Sequence, residues 1–355
     1  MTRLGKAIIL GLLTGILGIA ISLSHFGIDL EENFGLALLF ELRGTRQPPP
    51  EVVVISLDRQ SSDHLNLPRD PRKWPRSFHA RLIEKLAHDG ASVIVFDVVF
   101  KDEGQDDHLL AKAIREAGNV VLAEYLEMET IPLKGRSGQV RNEVTVERVI
   151  PPIPVLEQEA ASLATFPLPK VPARVSQYWT FKDGSGHFPT SPVVALQIYA
   201  SPVYNDFLNL LKKTLKNPNL AQASQDPKNR AALMAAESLI IPLNQKSVAN
   251  GNVHERIRSL KEILGNDTFF YERMMKAFEI PKGRYAEVRK TNLLRSLIKT
   301  YQGNNHYFNF YGPPHTITTV PYFELLRSPL NTQSPPQSPH PPQADAGESR
   351  RANTK

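Results

Sequence analysis

The sequence predicts an α/β fold: a mainly parallel sheet with flanking helices, a helical insertion and an N-terminal transmembrane helix. Three observations carry this prediction. Residues 52–58, Val-Val-Val-Ile-Ser-Leu-Asp, run almost continuously apolar and β-branched after Pro48, Pro49 and Pro50, the pattern of a strand covered on both faces. Residues 91–97, Ala-Ser-Val-Ile-Val-Phe-Asp, repeat that pattern. Between them Ser77 can cap a helix with Phe78, Leu82, Ile83 and Leu86 at helical spacing, closed by His88, Asp89 and Gly90. This is one βαβ unit. A right-handed crossover lays the two strands side by side, with Asp58 and Asp97 at their carboxyl ends, where α/β sheets place ligand contacts.

The alternation continues. Leu109, Leu110, Ala113 and Ile114 share a helical face behind Asp106, Asp107 and His108, and Gly118-Asn119 leads into a third strand at 120–123. Residues 130–154 carry alternating Val140, Val144 and Val146 and predict a hairpin-like excursion. A turn at 182–186 precedes a helix over 192–200. Between 201 and 300 lie helices at 207–215, 226–240, 254–264 and 285–301, which form the insertion. Aromatic alternation returns at 305–311 and breaks at Gly312-Pro313-Pro314.

Composition sets the limits. At 355 residues and 41% hydrophobic content the chain can bury a sizeable core and has room for two domains. With no cysteine, disulfides, thiolate metal sites and a Cys nucleophile are all excluded. The net charge of +6 is local in origin, since 201–300 holds 17 Lys and Arg against 9 Asp and Glu. A solvated face or contact with anionic lipid explains that excess better than nucleic acid, which an exported segment does not meet.

Arg3 and Lys6 precede an apolar run at 7–23 whose only polar residues are Thr14 and Ser22. About 17 helical residues span roughly 26 Å, and extension to Ile28 reaches a bilayer core. The positive-inside rule leaves Arg3 and Lys6 in the cytoplasm and exports everything after Ile28. A cleaved signal peptide ending near Ala20 and Ser22 is the alternative, and it exports the chain too. Gly11 and Gly15 form a GxxxG spacing through which two copies of the helix could pair as a homodimer. Residues 29–42 place Leu30, Phe34, Ala37, Leu38 and Glu41 at helical spacing, a short amphipathic helix leading to the first strand. The expected organisation is an anchor at 1–28, a folded domain at 29–326 and a Pro/Ser-rich tail at 327–355.

No catalytic constellation assembles. Ser61, Ser77 and Ser185 sit in no GxSxG elbow, and His64, His79 and His88 show no paired-ligand spacing. Asp58 and Asp97 could hold Mg²⁺ or act as an acid/base pair, yet no phosphoryl-acceptor motif or P-loop accompanies them, and capping or pairing with Arg59, Arg76 or Lys101 is the simpler role. Asp106, Asp107 and His108 suit a helix N-terminus better than a metal. The best pocket candidate joins Asp58, Trp74, Arg76, His79 and Asp97, the indole as apolar wall and the guanidinium as anchor for an anionic group.

The order of pieces is also distinctive: Leu42-Arg43-Gly44, residues 52–58, Trp74-Pro75-Arg76 with His79, residues 93–100, Asp106-Asp107 with Leu109-Leu110-Ala111, and 307–314 followed by 319–326. Together they resemble the CHASE sensory domain of the second type, the extracytoplasmic sensor of bacterial receptors, over roughly 26–326. The resemblance implies a non-enzymatic sensor without cofactors, anchored by one span in the inner membrane, that responds to an unknown small-molecule ligand or envelope stimulus. In the family such sensors precede further strands, membrane helices and a cytoplasmic cyclase or kinase. Here the chain passes after Arg327 into its Pro/Ser tail, so the expectation is a domain truncated before its output. An exported α/β metal-dependent hydrolase using Asp58 and Asp97, or a degenerate remnant, are the alternatives.

Overall fold

The computed structural model describes residues 3–24, 27, 30, 34–134, 140–168, 175–182, 188–215, 251–265, 268–276 and 285–327. The expected helix at 226–240, the turn beyond Lys182 and the tail after Arg327 lie outside the described residues.

Helix α1 (Arg3–Ser22) runs 20 residues with none buried, and it is long and apolar enough to cross a membrane. Helix α2 (Leu36–Arg43) follows and ends at Gly44. Strand β1 (Val54–Ser56) leads into α3 (Arg59–Leu65), then α4 (Arg76–His88), β2 (Ile94–Val99), α5 (Asp107–Ala117) and β3 (Val120–Ala123). A long antiparallel hairpin, β4 (Tyr125–Lys134) and β5 (Val140–Ile150), is the excursion the alternating valines predict. After α6 (Pro154–Glu157) come β6 (Ser162–Ala164), β7 (Gln177–Trp179), β8 (Phe181–Lys182), β9 (Phe188–Pro189) and α7 (Ser191–Tyr199). The insertion contributes α8 (Tyr204–Leu215), α9 (Gly251–Gly265), α10 (Thr268–Lys276) and α11 (Tyr285–Thr300). The described chain closes with β10 (Asn305–Tyr307), β11 (Thr319–Pro321) and α12 (Tyr322–Arg327).

The core is a parallel sheet in the order β2-β3-β6, with β3 central and all four of its residues buried. Its side chains alternate between two apolar clusters, as the twofold period of a strand requires. Val120 and Leu122 pack with Ile83 of α4 and with Leu110 and Ile114 of α5. Val121 packs on the opposite face with Val194 of α7 and with Phe207, Ile257 and Leu297 of the basic segment. The helices between 201 and 300 therefore form the second covering layer of the sheet, and the fold is a three-layer α/β/α arrangement.

Three expectations are corrected. First, β1 pairs in parallel with β11, Val54 opposite Thr319 and Ile55 opposite Val320, and no ladder joins β1 to β2 among the described residues. Apolar content predicts burial but carries no information on which distant strand supplies the partner. Second, β1 and β2 are not covered on both faces: Val54 is 43% exposed and Val95 42%, while Ile94 and Phe96 on the other face of β2 are buried. Third, Ser77 is the second residue of α4 and does not cap it; Pro75 holds the N-cap position with no side-chain bond. Its fixed φ pre-sets the first turn.

Candidate functional site

Of the five residues singled out by sequence, three come together. Asp70 accepts from the Arg72 backbone N–H at 3.1 Å and starts a short 3-10 turn, Pro71–Lys73, which delivers Trp74 into the core at 2% exposure. The Trp74 indole N–H donates to the Pro68 carbonyl at 2.5 Å. One turn into α4, His79 is fully buried, its ring stacked at 6.2 Å from that of Trp74 and set edge-on to Phe96 and Phe100 at 5.9 Å and 5.5 Å.

Arg76 is 4% exposed and heavily engaged. Its Nε donates to Asp107 Oδ1 at 3.1 Å, Nη2 to the Asp102 carbonyl at 3.2 Å and Nη1 to the Arg72 carbonyl at 3.4 Å. The guanidinium lies 4.6 Å above the Phe100 ring. The Arg76 backbone N–H also donates to the Gln105 carbonyl, and Asp107 Oδ2 accepts from the Gly104 N–H at 2.7 Å. The loop between β2 and α5 thus wraps the guanidinium. At Gly104 a Cβ would lie 2.8 Å from Arg76 Nε, so a larger residue there would force the buried guanidinium to shift.

Sequence reasoning missed two members of this cluster. Asp107 reads as a helix-starting carboxylate, which it is, but the same side chain is also the counter-ion of Arg76. Tyr322 carries no signal of its own. It is fully buried, its hydroxyl 3.0 Å from His79 Nδ1 and its ring edge-on to Trp74 at 5.1 Å. His79 Nε2 has no well-formed hydrogen bond. Burial first, then the adjacent Arg76 charge, push the His79 pKa down to about 4, against a weaker opposing pull from the Pro71 carbonyl.

Asp58 and Asp97 stand elsewhere. Asp58 caps α3, accepting from the Ser61 N–H at 2.7 Å and from the Ser56 hydroxyl at 2.8 Å. Partial burial would raise its pKa, but these bonds outweigh burial and hold it below the ordinary value. Asp97 lies inside β2 on its exposed face and not at the strand's end. The orienting carboxylate of Arg76 is Asp107, not Asp58 or Asp97. Among the described residues, no three His, Asp or Glu side chains come together as a metal-ligand set.

A second junction joins the first and last parts of the domain. The Arg43 guanidinium donates to Asn309 Oδ1 at 2.7 Å and also to the Phe310 carbonyl. Phe40 meets Phe310 edge-on at 5.3 Å, and the Arg46 N–H donates to the Tyr311 carbonyl at 2.7 Å. A cleft of about 270 Å³ lies here, between Phe40 and Arg43 on one side and Phe310 and Pro313 on the other. Further along, the Phe323 N–H reaches the Ser61 hydroxyl at 3.4 Å, and Arg81 reaches the Leu326 carbonyl at 3.3 Å. Entry and exit of the folded unit run side by side.

The described residues form a three-layer α/β domain preceded by an apolar helix, with a buried cluster around Trp74, Arg76 and His79. The chain belongs to the CHASE2 domain family, whose model matches residues 12–346. CHASE2 is an extracytoplasmic sensor domain of signalling proteins. No curated protein and no solved structure matches the chain.

Proposed function

We propose that this chain is a membrane-anchored sensor held by α1 in the inner membrane, with residues from 29 onward outside the cytoplasm, and that it acts by binding and not by catalysis. The observation that carries this reading is an unburied apolar helix of 20 residues that begins with Arg3 and Lys6, in a chain whose CHASE2 match covers residues 12–346. The side-by-side entry and exit support it, since a change in the domain is then felt on both sides of the junction at Arg43. A Cβ added at Gly11 or Gly15 would meet no atom within 4 Å, which leaves their face of α1 open to a second copy. A reporter fused after Leu326 should be active only outside the cytoplasm; activity of a strictly cytoplasmic reporter there would overturn the topology.

The ligand site of this reading is the neighbourhood of Trp74, Arg76 and His79, without Asp58 and Asp97. An anionic ligand reaches Arg76 only by displacing Asp107, so binding would unwrap the loop before α5. A thermal-shift screen of small acids, nucleotides and sugars tests this on wild type and Arg76→Ala. Equal stabilisation of both proteins by a ligand would place the site elsewhere. The hydrolase alternative needs Asp58 and Asp97 at the ends of neighbouring strands, whereas Asp58 caps α3, Asp97 lies inside β2 and no ladder joins β1 to β2 among the described residues.

A further inference from the structure

Helix α2 is unusual for a helix on a water-facing surface. Its half-buried side, with Leu36 and Phe40, faces the domain, where Phe40 meets Phe310 at 5.3 Å. The opposite side should be polar. Instead Phe34, Leu38 and Leu42 follow one another at intervals of four residues, 71%, 56% and 75% exposed, with Leu39 beside them at 62%. No residue of α2 is buried. The bonds of Arg43 to Asn309 and Phe310 fix which face points away from the domain.

Chain connectivity decides what covers that face. Thirteen residues, 23–35, separate the end of α1 at Ser22 from the start of α2 at Leu36. Fully extended they reach at most about 45 Å, and as helix about 20 Å. A short tether of this kind holds α2 at high effective concentration beside whatever surrounds α1. Arg46, just past the helix, is exposed, a cation that a headgroup phosphate could meet.

We infer that α2 is an interfacial helix, its Phe34–Leu38–Leu42 stripe immersed in the outer leaflet of the bilayer that α1 crosses. This rests on the membrane-anchored reading above. The helix then lies along the membrane plane, with the domain seated on its other side through Arg43 and Phe40. A ligand-driven movement at Phe310 would shift a helix already held in lipid, so the membrane surface becomes part of the sensor's frame.

The chain has no cysteine, so single spin labels can be placed without background. The full chain is reconstituted in phosphatidylcholine nanodiscs with a label at Leu38→Cys, at Leu13→Cys in α1, or at Lys112→Cys on the exposed side of α5, and relaxation by oxygen and by a water-soluble nickel chelate is compared. The inference expects loss of nickel access and gain of oxygen access at 38, shallower than at 13, with the reverse at 112. Nickel access at 38 equal to that at 112, while 13 stays in lipid, overturns the interfacial helix and leaves the anchor standing. Nickel access at 13 removes the anchor and this inference together. Shielding of 38 from both reagents means that protein, such as a second copy, covers the stripe, and also overturns it. Leu38 is exposed, so its substitution leaves the core unaltered.

Discussion

The Tyr322 hydroxyl and His79 Nδ1 meet at 3.0 Å across 243 residues of sequence, inside a box of aromatic rings with no exposure on either side. When the His79 proton sits on Nε2, the Tyr322 hydroxyl donates to Nδ1. This bond ties α12, the last described helix, to the start of α4. Tyr322→Phe should cost about 1–3 kcal/mol, the penalty for leaving a buried acceptor unsatisfied. Urea unfolding of the two proteins measures it, and identical midpoints would show that the bond contributes nothing net.

Acid should weaken the domain through His79. Its folded pKa of about 4 lies below the unfolded value of 6.5, so the unfolded chain binds the proton first as pH falls. The contribution is complete above about pH 6.5 and is lost progressively as pH drops through 4, up to about 3 kcal/mol at ~1.4 per unit. His79→Gln should flatten the stability profile between these limits. An unaltered slope would assign the acid sensitivity to other groups.

Glu124 acts in the opposite direction. Burial first, and then the charge of Glu157, raise its pKa to about 7 from 4.5. Its contribution is complete below about pH 4.5 and is lost as pH rises through 7, when a carboxylate must be held in a poorly solvated place. Glu124→Gln should therefore raise the melting temperature at pH 8 and leave it nearly unaltered at pH 4. A variant less stable than wild type at pH 8 contradicts this.

Removing one partner from the pair of Arg76 and Asp107 leaves the other charge uncompensated, at side-chain exposures of only 5% and 14%. Arg76→Ala should cost about 3–5 kcal/mol. Arg76→Met combined with Asp107→Asn should cost less than the sum of the single changes, because the two groups are coupled. Additivity within error in a double-mutant cycle would dissolve the pair as an energetic unit.

Gly312 tests the junction at α2. A Cβ there would stand 2.5 Å from Thr316 Oγ1 and 2.9 Å from Thr45 Cγ2. Gly312→Ala should push the two strands of chain apart and speed amide exchange across Leu36–Arg43, with β3 unaffected. Exchange in α2 that matches wild type would show that the contact is not what holds the helix.

The helices and β3 were legible because each carries its own period: β3 spans 120–123 as its composition requires, and α11 and α9 sit close to their apolar stripes. Helix α3 was hidden, since Arg59–Leu65 is almost wholly polar and forms on the strength of the Asp58 cap. The pairing of β1 with β11 was invisible, because parallel partners that lie 265 positions apart leave no local trace. Trp74, Arg76 and His79 could be singled out as unusual polar and aromatic residues opening a helix. Their partners Asp107 and Tyr322 could not, because a counter-ion and a ring are chosen by three-dimensional proximity.

The pairing of β1 with β11 also sets an order of events during synthesis. As the chain emerges, Val54, Ile55 and Ser56 appear first and wait with an unpaired backbone edge until Thr319–Pro321 arrives to close it. Contacts of such long range form slowly, and an open apolar edge is the part most prone to pair with the wrong chain. Pro48, Pro49 and Pro50 stand immediately upstream and cannot extend a ladder, which confines the waiting edge to a few residues. The domain is thereby a clasp that can fasten only when Thr319–Pro321 has emerged, so any delay late in synthesis prolongs exposure of the Val54–Ser56 edge.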